Sequence, residues 1–213
     1  MIDTHDISEV EYAYSLMAKD AQIDMPPTQL FDAGKFGAAF GIKRFDRKGT
    51  ERVHMHTLSG LLHADYRTPN LDYSDYLKAT GLLTQDQSAV LQAYRRMVFN
   101  VLTHNRDDHS KNFSFLFDNT WQLSPAYDLT FSNGIAGEHT MTIAGEGANP
   151  TRTHLLRVGK NLSLRRQMLE SIIEEVTSVV SHWMEYARDA NVPPEEAKRL
   201  MRVFSHLLKG ARL

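Results

Sequence analysis

Three side chains in the middle of the chain have the types and spacing of a phosphoryl-transfer site. In H-N-R-D-D-H-S-K-N, Asp107 stands five residues before Asn112, and Asp128 follows in S-P-A-Y-D-L. A hydroxyl that attacks a phosphoryl group needs an acceptor for its proton and a fixed line of approach, and the phosphate charge needs a divalent cation. One Asp meets the first need, and an Asn with a second Asp meets the other. On this reading Asp107 takes the proton, while Asn112 and Asp128 hold Mg2+, a hard cation that keeps several waters and takes few protein oxygens beside those of a nucleotide. Lys111, between the two positions, would neutralise phosphate charge during transfer. His109 lies in the same loop, where an imidazole serves more readily as a hydrogen-bonding scaffold than as a base. The catalytic set is thus Asp107, Lys111 and His109. An Asp-rich loop ahead of a hairpin is also ordinary turn chemistry, so the weight rests on the joint pattern rather than on any one residue.

The flanking segments must bring these residues together. Residues 113–117, F-S-F-L-F, read as a strand, Asp118-Asn119-Thr120 as a turn, and 121–123 as the return leg, which carries 125–129 back toward Asn112. Upstream, 87–103 is an amphipathic helix with Val90, Tyr94, Met97, Val98, Val101 and Leu102 on one face. The chain opens with a helix over 8–20, started by a Ser8/Glu11 capping box and ended at Met25-Pro26-Pro27. Strands over 28–32 and 37–45 follow, around a turn at 33–36. Short helical pieces at 58–63 and 73–80 interrupt a polar, loop-rich stretch. Beyond the central motif, the pattern predicts a strand over 139–143 broken by Gly145 and Gly147, then helices over 151–158, 164–190 and 194–208. The stripe Met168, Ile172, Val176, Val179, Val180, Trp183 and Tyr186 reads as core. The expected fold class is α+β, with a boundary between 46 and 53.

Composition narrows the function classes. Lys and Arg total 24 against 26 Asp and Glu, a formal charge of −2, so no global basic field draws the chain onto nucleic acid, and no direct nucleic-acid partner is expected. Cysteine is absent, which excludes a disulfide framework, a thiolate zinc site and a cysteine nucleophile. No segment approaches the roughly 18 apolar residues of a membrane span, and the first residues carry no basic-apolar leader pattern, so a cytoplasmic protein with no membrane partner is expected. His54 and His56 share a strand face without a third ligand, and Arg152, Arg157, Arg165 and Arg166 read as a solvated helix face.

The motifs N-R-D-D-H-S-K-N-F-S-F-L and P-A-Y-D-L, with K-R-F-D-R, V-E-Y-A-Y-S-L-M-A and I-A-G-E-G-A-N-P-T-R, span almost the whole chain. Through them the chain resembles the carboxy-terminal part of the HipA-like serine/threonine kinases, the toxin component of bacterial toxin–antitoxin pairs. The resemblance implies a mainly helical kinase C-lobe over 48–213, preceded over 1–47 by an N-lobe remnant of one helix and a hairpin ending in the hinge. It implies ATP and Mg2+ as cofactors, Asp107 as catalytic base, and Asn112 and Asp128 as metal ligands. It also places Lys43, Arg44 and Phe45 in the hinge that touches adenine, and Glu11, with Glu9 as competitor, on the helix whose Glu pairs with the phosphate-gripping Lys. The implied substrate is a Ser or Thr of a protein, an aminoacyl-tRNA synthetase in this family, and the implied partner is a HipB-like antitoxin.

The sequence departs from that family where the Ser-containing loop and the lysine strand would precede it: neither has a counterpart ahead of Glu11. A fragment or shortened member with weakened ATP affinity is the expectation. The alternatives are a non-catalytic kinase-derived module that needs a separately encoded N-lobe or an antitoxin, and, more remotely, a metal phosphohydrolase built on Asp107, Asp108 and His109.

Overall fold

Apolar residues at helical spacing set the arrangement. The computed structural model describes residues 7–65, 71–162 and 164–212. Helix α1 (Ile7–Asp20) turns Val10, Ala13, Tyr14 and Met17 inward, the i, i+3, i+4, i+7 stripe of a one-sided helix. A hairpin follows, β1 (Thr28–Asp32) and β2 (Ala38–Ile42), antiparallel with Thr28 opposite Ile42 and joined by a 3-10 turn over Gly34–Phe36. Two-residue strands β3 (Arg47–Lys48) and β4 (Glu51–Arg52) lead to β5 (His54–Thr57) and the one-turn helix α2 (Leu58–Leu61), where Thr57 Oγ1 accepts the Gly60 amide at 3.1 Å. Helix α3 (Tyr73–Thr84) starts at a capping box between Asp72 and Asp75. Helix α4 (Gln87–Leu102) starts at Asp86, whose carboxylate accepts the Ser88 amide at 2.8 Å. The loop that carries Asp107 then runs into β6 (Ser114–Asp118) and β7 (Thr120–Leu123), which with β5 make a three-stranded antiparallel sheet in the order β5-β6-β7. Asn119, at φ +62°, makes the tight turn between β6 and β7. The chain closes with α5 (Arg152–Asn161), α6 (Arg166–Ser181), α7 (Trp183–Asp189) and α8 (Pro194–Arg212). The fold is α+β.

One aromatic cluster ties the first helix to the last. The Tyr14 ring meets Phe99, Trp183 and Phe204 edge-on, with centroids 6.1, 6.0 and 6.2 Å away, the geometry that aromatic quadrupoles favour. The Tyr14 hydroxyl donates to the carbonyl of Thr103, the residue that ends α4 and opens the loop carrying Asp107. Helix α1 is thereby fixed relative to that loop. Helices α5 and α6 approach closely because Gly159 has no side chain; a Cβ there would lie 2.4 Å from Leu169 Cδ1.

Three local expectations differ from the structure. Ser8 lies inside α1 rather than capping it. Residues 139–143 form no strand, because their amides go to four separate acceptors: His139 to the Gly147 carbonyl, Thr140 to the Asp108 carboxylate, Thr142 to Leu71 and Ile143 to Glu146. The helix expected over 164–190 breaks at His182, whose backbone (φ −93°, ψ 16°) ends α6. The break lets the Trp183 indole enter the aromatic cluster and donate to the Ala197 carbonyl at 2.9 Å.

Candidate active site

The loop after α4 is held open by backbone and amide bonds, and this holding decides where Asp107 stands. Asn105 donates its backbone amide to the Asn100 carbonyl at 2.9 Å and its side-chain amide to Asn100 Oδ1 at 3.1 Å, so the loop leaves the helix at a fixed angle. His104 turns the chain there at φ +55°, stacked on Phe131 with ring centroids 5.1 Å apart. Burial, reinforced by the charge of Arg106, pushes the His104 imidazole down to about 4. Asp107 then projects outward with 59% of its side chain exposed, and its carbonyl accepts the Asn112 side-chain amide at 3.0 Å. The Asn112 backbone amide closes a turn onto the His109 carbonyl at 2.8 Å. These two bonds fix the five-residue spacing as a compact loop whose ends face one opening.

The β6–β7 hairpin returns Asp128 to the same opening. Ser124 donates its amide to the Ser114 carbonyl at 3.0 Å, and Tyr127 accepts from Ser114 Oγ at 2.6 Å while donating to the Lys111 carbonyl at 2.7 Å. Tyr127 therefore fastens the segment after β7 that carries Asp128 to the loop that carries Asn112. Asp128 has φ +58°, a left-handed conformation that Asp tolerates better than most residues and that aims its carboxylate across the opening. Asp128 is open to solvent, although nearby protein takes part of its hydration. Burial, then the charge of Asp107, raises its pKa, against the opposing pull of His109 and of a hydrogen bond from Asn112. Glu11, half-buried on α1, faces the same place: burial first, and Asp128 second, push its carboxyl up to about 7. The structure thus brings Asp107, Asn112 and Asp128 together and adds Glu11 behind them. Glu9, its competitor, lines a hollow beside Phe31, Asp32 and Asn191 instead.

The remaining sequence candidates take different positions. His109 Nε2 lies 3.9 Å from Asp107 Oδ1, too long for a hydrogen bond but close enough to lower the local negative potential when protonated. Lys111 is exposed, with its carbonyl held by Tyr127. Of the three hinge residues, Lys43 is exposed and its amide donates to the Pro27 carbonyl at 2.9 Å. Arg44 forms a forked pair with Asp46, Nε to Oδ1 at 2.8 Å and Nη2 to Oδ2 at 2.5 Å. Phe45 turns inward against the Tyr127 ring, centroids 5.5 Å apart, and so borders the opening. Tyr127 was not given a role by its position in the sequence; its two partners lie 13 and 16 residues away, with no periodicity to announce them.

Asp108 faces the opposite way from Asp107, with none of its side chain exposed. Its carboxylate accepts the Tyr73 hydroxyl at 2.7 Å, His139 Nδ1 at 2.8 Å and the Thr140 amide at 2.8 Å. It is therefore spent as an acceptor inside the protein. The adjacent-aspartate metal pair that a phosphohydrolase would need is not built, and among the described residues no cluster of three His, Cys, Asp or Glu side chains could hold a metal. The neighbouring hollow of about 410 Å3 between α4 and β7, lined by Asp24, Asp86, Arg96 and Trp121, shares no residue with the Asp107 opening.

Two carboxylates and an amide surround one opening, and once the amide, whose NH2 now bonds the Asp107 carbonyl, is turned, their oxygens are the hard donors that a cation such as Mg2+ takes. Comparisons with known proteins agree with this architecture. The solved HipA of Shewanella oneidensis MR-1, from the complex of the toxin–antitoxin system HipA and HipB with operator DNA, superposes with a TM-score of 0.77 at 18% identity, over 97% of this chain and 55% of that one. The Helicobacter pylori proinflammatory kinase CtkA superposes with a TM-score of 0.61 at 13% identity, over 96% of this chain and 83% of its own. Among curated proteins, a candidate kinase of Sinorhizobium fredii, Y4dM, is 32% identical over 138 residues, and a candidate kinase of Haemophilus influenzae is 28% identical over 139. The matched segments cover 34% and 40% of those two relatives, so the chain spans well under half of their length. Among the described residues no helix is long and apolar enough to cross a membrane. The model of the HipA-like C-terminal domain matches residues 2–183, and the chain belongs to that family.

Proposed function

We propose that this chain forms the catalytic part of a protein kinase that transfers the terminal phosphoryl group of ATP to a Ser or Thr hydroxyl. The observation that carries the reading is the meeting of Asp107, Asn112 and Asp128 at one opening, with Asp128 raised in pKa by burial and by the charge of Asp107. Two carboxylates held this near each other repel, and a divalent cation offsets that repulsion. Asp128 and the Asn112 amide would hold Mg2+, which neutralises the phosphate charge when bound. For this the amide must turn its oxygen to the ion, exchanging the bonds that its NH2 now makes to the Asp107 carbonyl and toward Asp128. Asp107, exposed and free to approach an incoming hydroxyl, accepts its proton. Phe45 and Lys43 would border the adenine, and Lys111 the phosphates. The family resemblance points to an aminoacyl-tRNA synthetase as the substrate, and the HipB in the Shewanella complex supports a HipB-like antitoxin as partner.

Phosphate transfer from labelled ATP, followed with Mg2+ present and after chelation, tests the reading on the wild type, Asp107→Ala and Asp128→Asn. Each substitution should lower transfer at least ~100-fold, because each removes a group acting on the reacting atoms. Transfer that persists undiminished in Asp107→Ala would reject the assignment of the base.

A further inference from the structure

We propose that Asp108 is a positioning residue that docks the segment 132–148 onto the catalytic loop, supplying from within the chain the anion that would otherwise have to be added to that segment by phosphorylation. The inference rests on the phosphoryl-transfer reading of the neighbouring Asp107. Asp108 is one residue from the proposed base, 1% exposed, and its carboxylate takes three donors, two of them from the segment: the His139 imidazole and the Thr140 amide. The third, the Tyr73 hydroxyl, belongs to a relay with one direction. Asn105 Nδ2 donates to Asn100 Oδ1 at 3.1 Å, Asn100 Nδ2 to Tyr73 Oη at 3.0 Å, and Tyr73 Oη to Asp108 Oδ2 at 2.7 Å. Burial and the Asp108 charge raise the Tyr73 phenol well above its usual range, so it stays a donor. Each step of the relay runs from donor to acceptor and ends on the Asp108 carboxylate.

The segment is pinned to the same loop by further bonds that depend on this docking. Thr140 donates its amide and its hydroxyl to the Arg106 region, Oγ1 to the Arg106 carbonyl at 3.1 Å, and Arg106 Nη2 donates to the Ala148 carbonyl at 2.7 Å. Gly134 fits against Arg106 with φ +66°, where a Cβ would lie 2.2 Å from the Glu138 carbonyl oxygen. In switchable loops an added phosphate gathers cations to order the segment. Here the hydroxyls are already committed: Thr142 Oγ1 donates to Asp72 Oδ2 at 2.7 Å, so a phosphate on Thr142 would be set against a carboxylate. The docked segment closes one side of the loop and holds Asp107 at its angle.

The test compares wild type, Asp108→Asn, Tyr73→Phe, His139→Asn and His139→Val by amide hydrogen exchange and by turnover of ATP with Mg2+. In Asp108→Asn the new NH2 meets either two donors or the Thr140 amide, so exchange over 139–148 should rise at least ~10-fold while the α4 core stays protected. Its kcat should fall at least ~30-fold with KM for ATP within ~3-fold, the split of a misplaced base rather than of lost nucleotide binding. His139→Asn, which keeps a donor near Nδ1, should retain turnover within ~5-fold, and His139→Val should not. Phosphatase-treated wild type should turn over without a lag. Unchanged exchange over 139–148 in Asp108→Asn, a loss of protection spread equally over α4 and α6, or a lag after phosphatase treatment would overturn the proposal. Should Asp108→Asn fail to fold, His139→Val, which deletes one of the segment's two donors to Asp108, carries the same comparison. Wild type without any turnover at saturating ATP and Mg2+ would count against the phosphoryl-transfer reading instead, and the exchange data would still decide the docking.

Discussion

Replacing Glu11 by Gln should stabilise the protein at alkaline pH and leave it nearly unchanged in acid. Glu11 sits half-buried on α1 with its carboxyl pushed from 4.5 up to about 7, first by burial and then by Asp128. The folded state therefore keeps a proton that the unfolded chain releases near its ordinary pKa. Between about 4.5 and 7 the native state binds more protons than the unfolded state, so this carboxyl is without cost below 4.5 and destabilises increasingly until about 7, beyond which the cost is constant. At about 1.4 kcal/mol per pH unit the full shift corresponds to about 3 kcal/mol. Solvent reaches one side of the carboxyl, and screening reduces the expected cost to about 1–2 kcal/mol. Urea unfolding of wild type and Glu11→Gln at pH 4.5, 6 and 8 should give a difference that grows from near zero to that value in favour of Gln. Mg2+ at pH 8 should narrow it, because a cation at Asp128 removes the second cause of the shift. A difference of equal size at pH 4.5 and pH 8 would refute the burial of the Glu11 carboxyl as the cause of its raised pKa.

Two further substitutions test the frame of the site. His104 has its pKa depressed to about 4 by burial and by Arg106, so the stability it contributes is present above its ordinary 6.5 and lost as pH falls toward 4; His104→Asn, which suits the left-handed backbone at φ +55°, should flatten the acid limb of a stability–pH curve measured by thermal unfolding. Gly159→Ala places a methyl 2.4 Å from Leu169 Cδ1 at the α5–α6 crossing and should cost about 1–3 kcal/mol in urea unfolding, with phosphoryl transfer preserved in the folded fraction.

How much of this could be read from the sequence follows the range of the interactions. Asp107, Asn112 and Asp128 were legible because one loop and one hairpin join them, and both are encoded locally by polar turn residues and alternating apolar strands. The hinge end Phe45 and the carboxyl of Glu11 came from family resemblance; their contacts with Tyr127 and Asp128 cross most of the first half of the chain. The role of Asp108 was not legible, since Tyr73 lies 35 residues before it and His139 31 after it, and nothing in the spacing distinguishes an inward from an outward aspartate. Adjacent to Asp107, it entered the sequence reading only through the remote phosphohydrolase alternative, whereas it is a buried acceptor. The break at His182 was hidden for another reason. The apolar stripe continues through Val179, Val180, Trp183 and Tyr186 with helical spacing, and only the demand of the Tyr14–Phe204 cluster for the indole ends α6 at Ser181. The stretch 139–143 likewise suggested a strand, but its backbone amides go to four different acceptors and no partner strand pairs with it among the described residues.

Whether Asn112 and Asp128 hold one cation beside Asp107 is decided by a crystal structure of the chain with a nonhydrolysable ATP analogue and Mn2+ in place of Mg2+, with the metal located by its anomalous scattering. The account predicts a single strong peak about 2.0–2.3 Å from an Asp128 carboxylate oxygen and the Asn112 amide oxygen, with phosphate oxygens completing the shell and Asp107 facing the terminal phosphate. A peak bound elsewhere, with Asp128 and Asn112 left to each other as they are without metal, would contradict it.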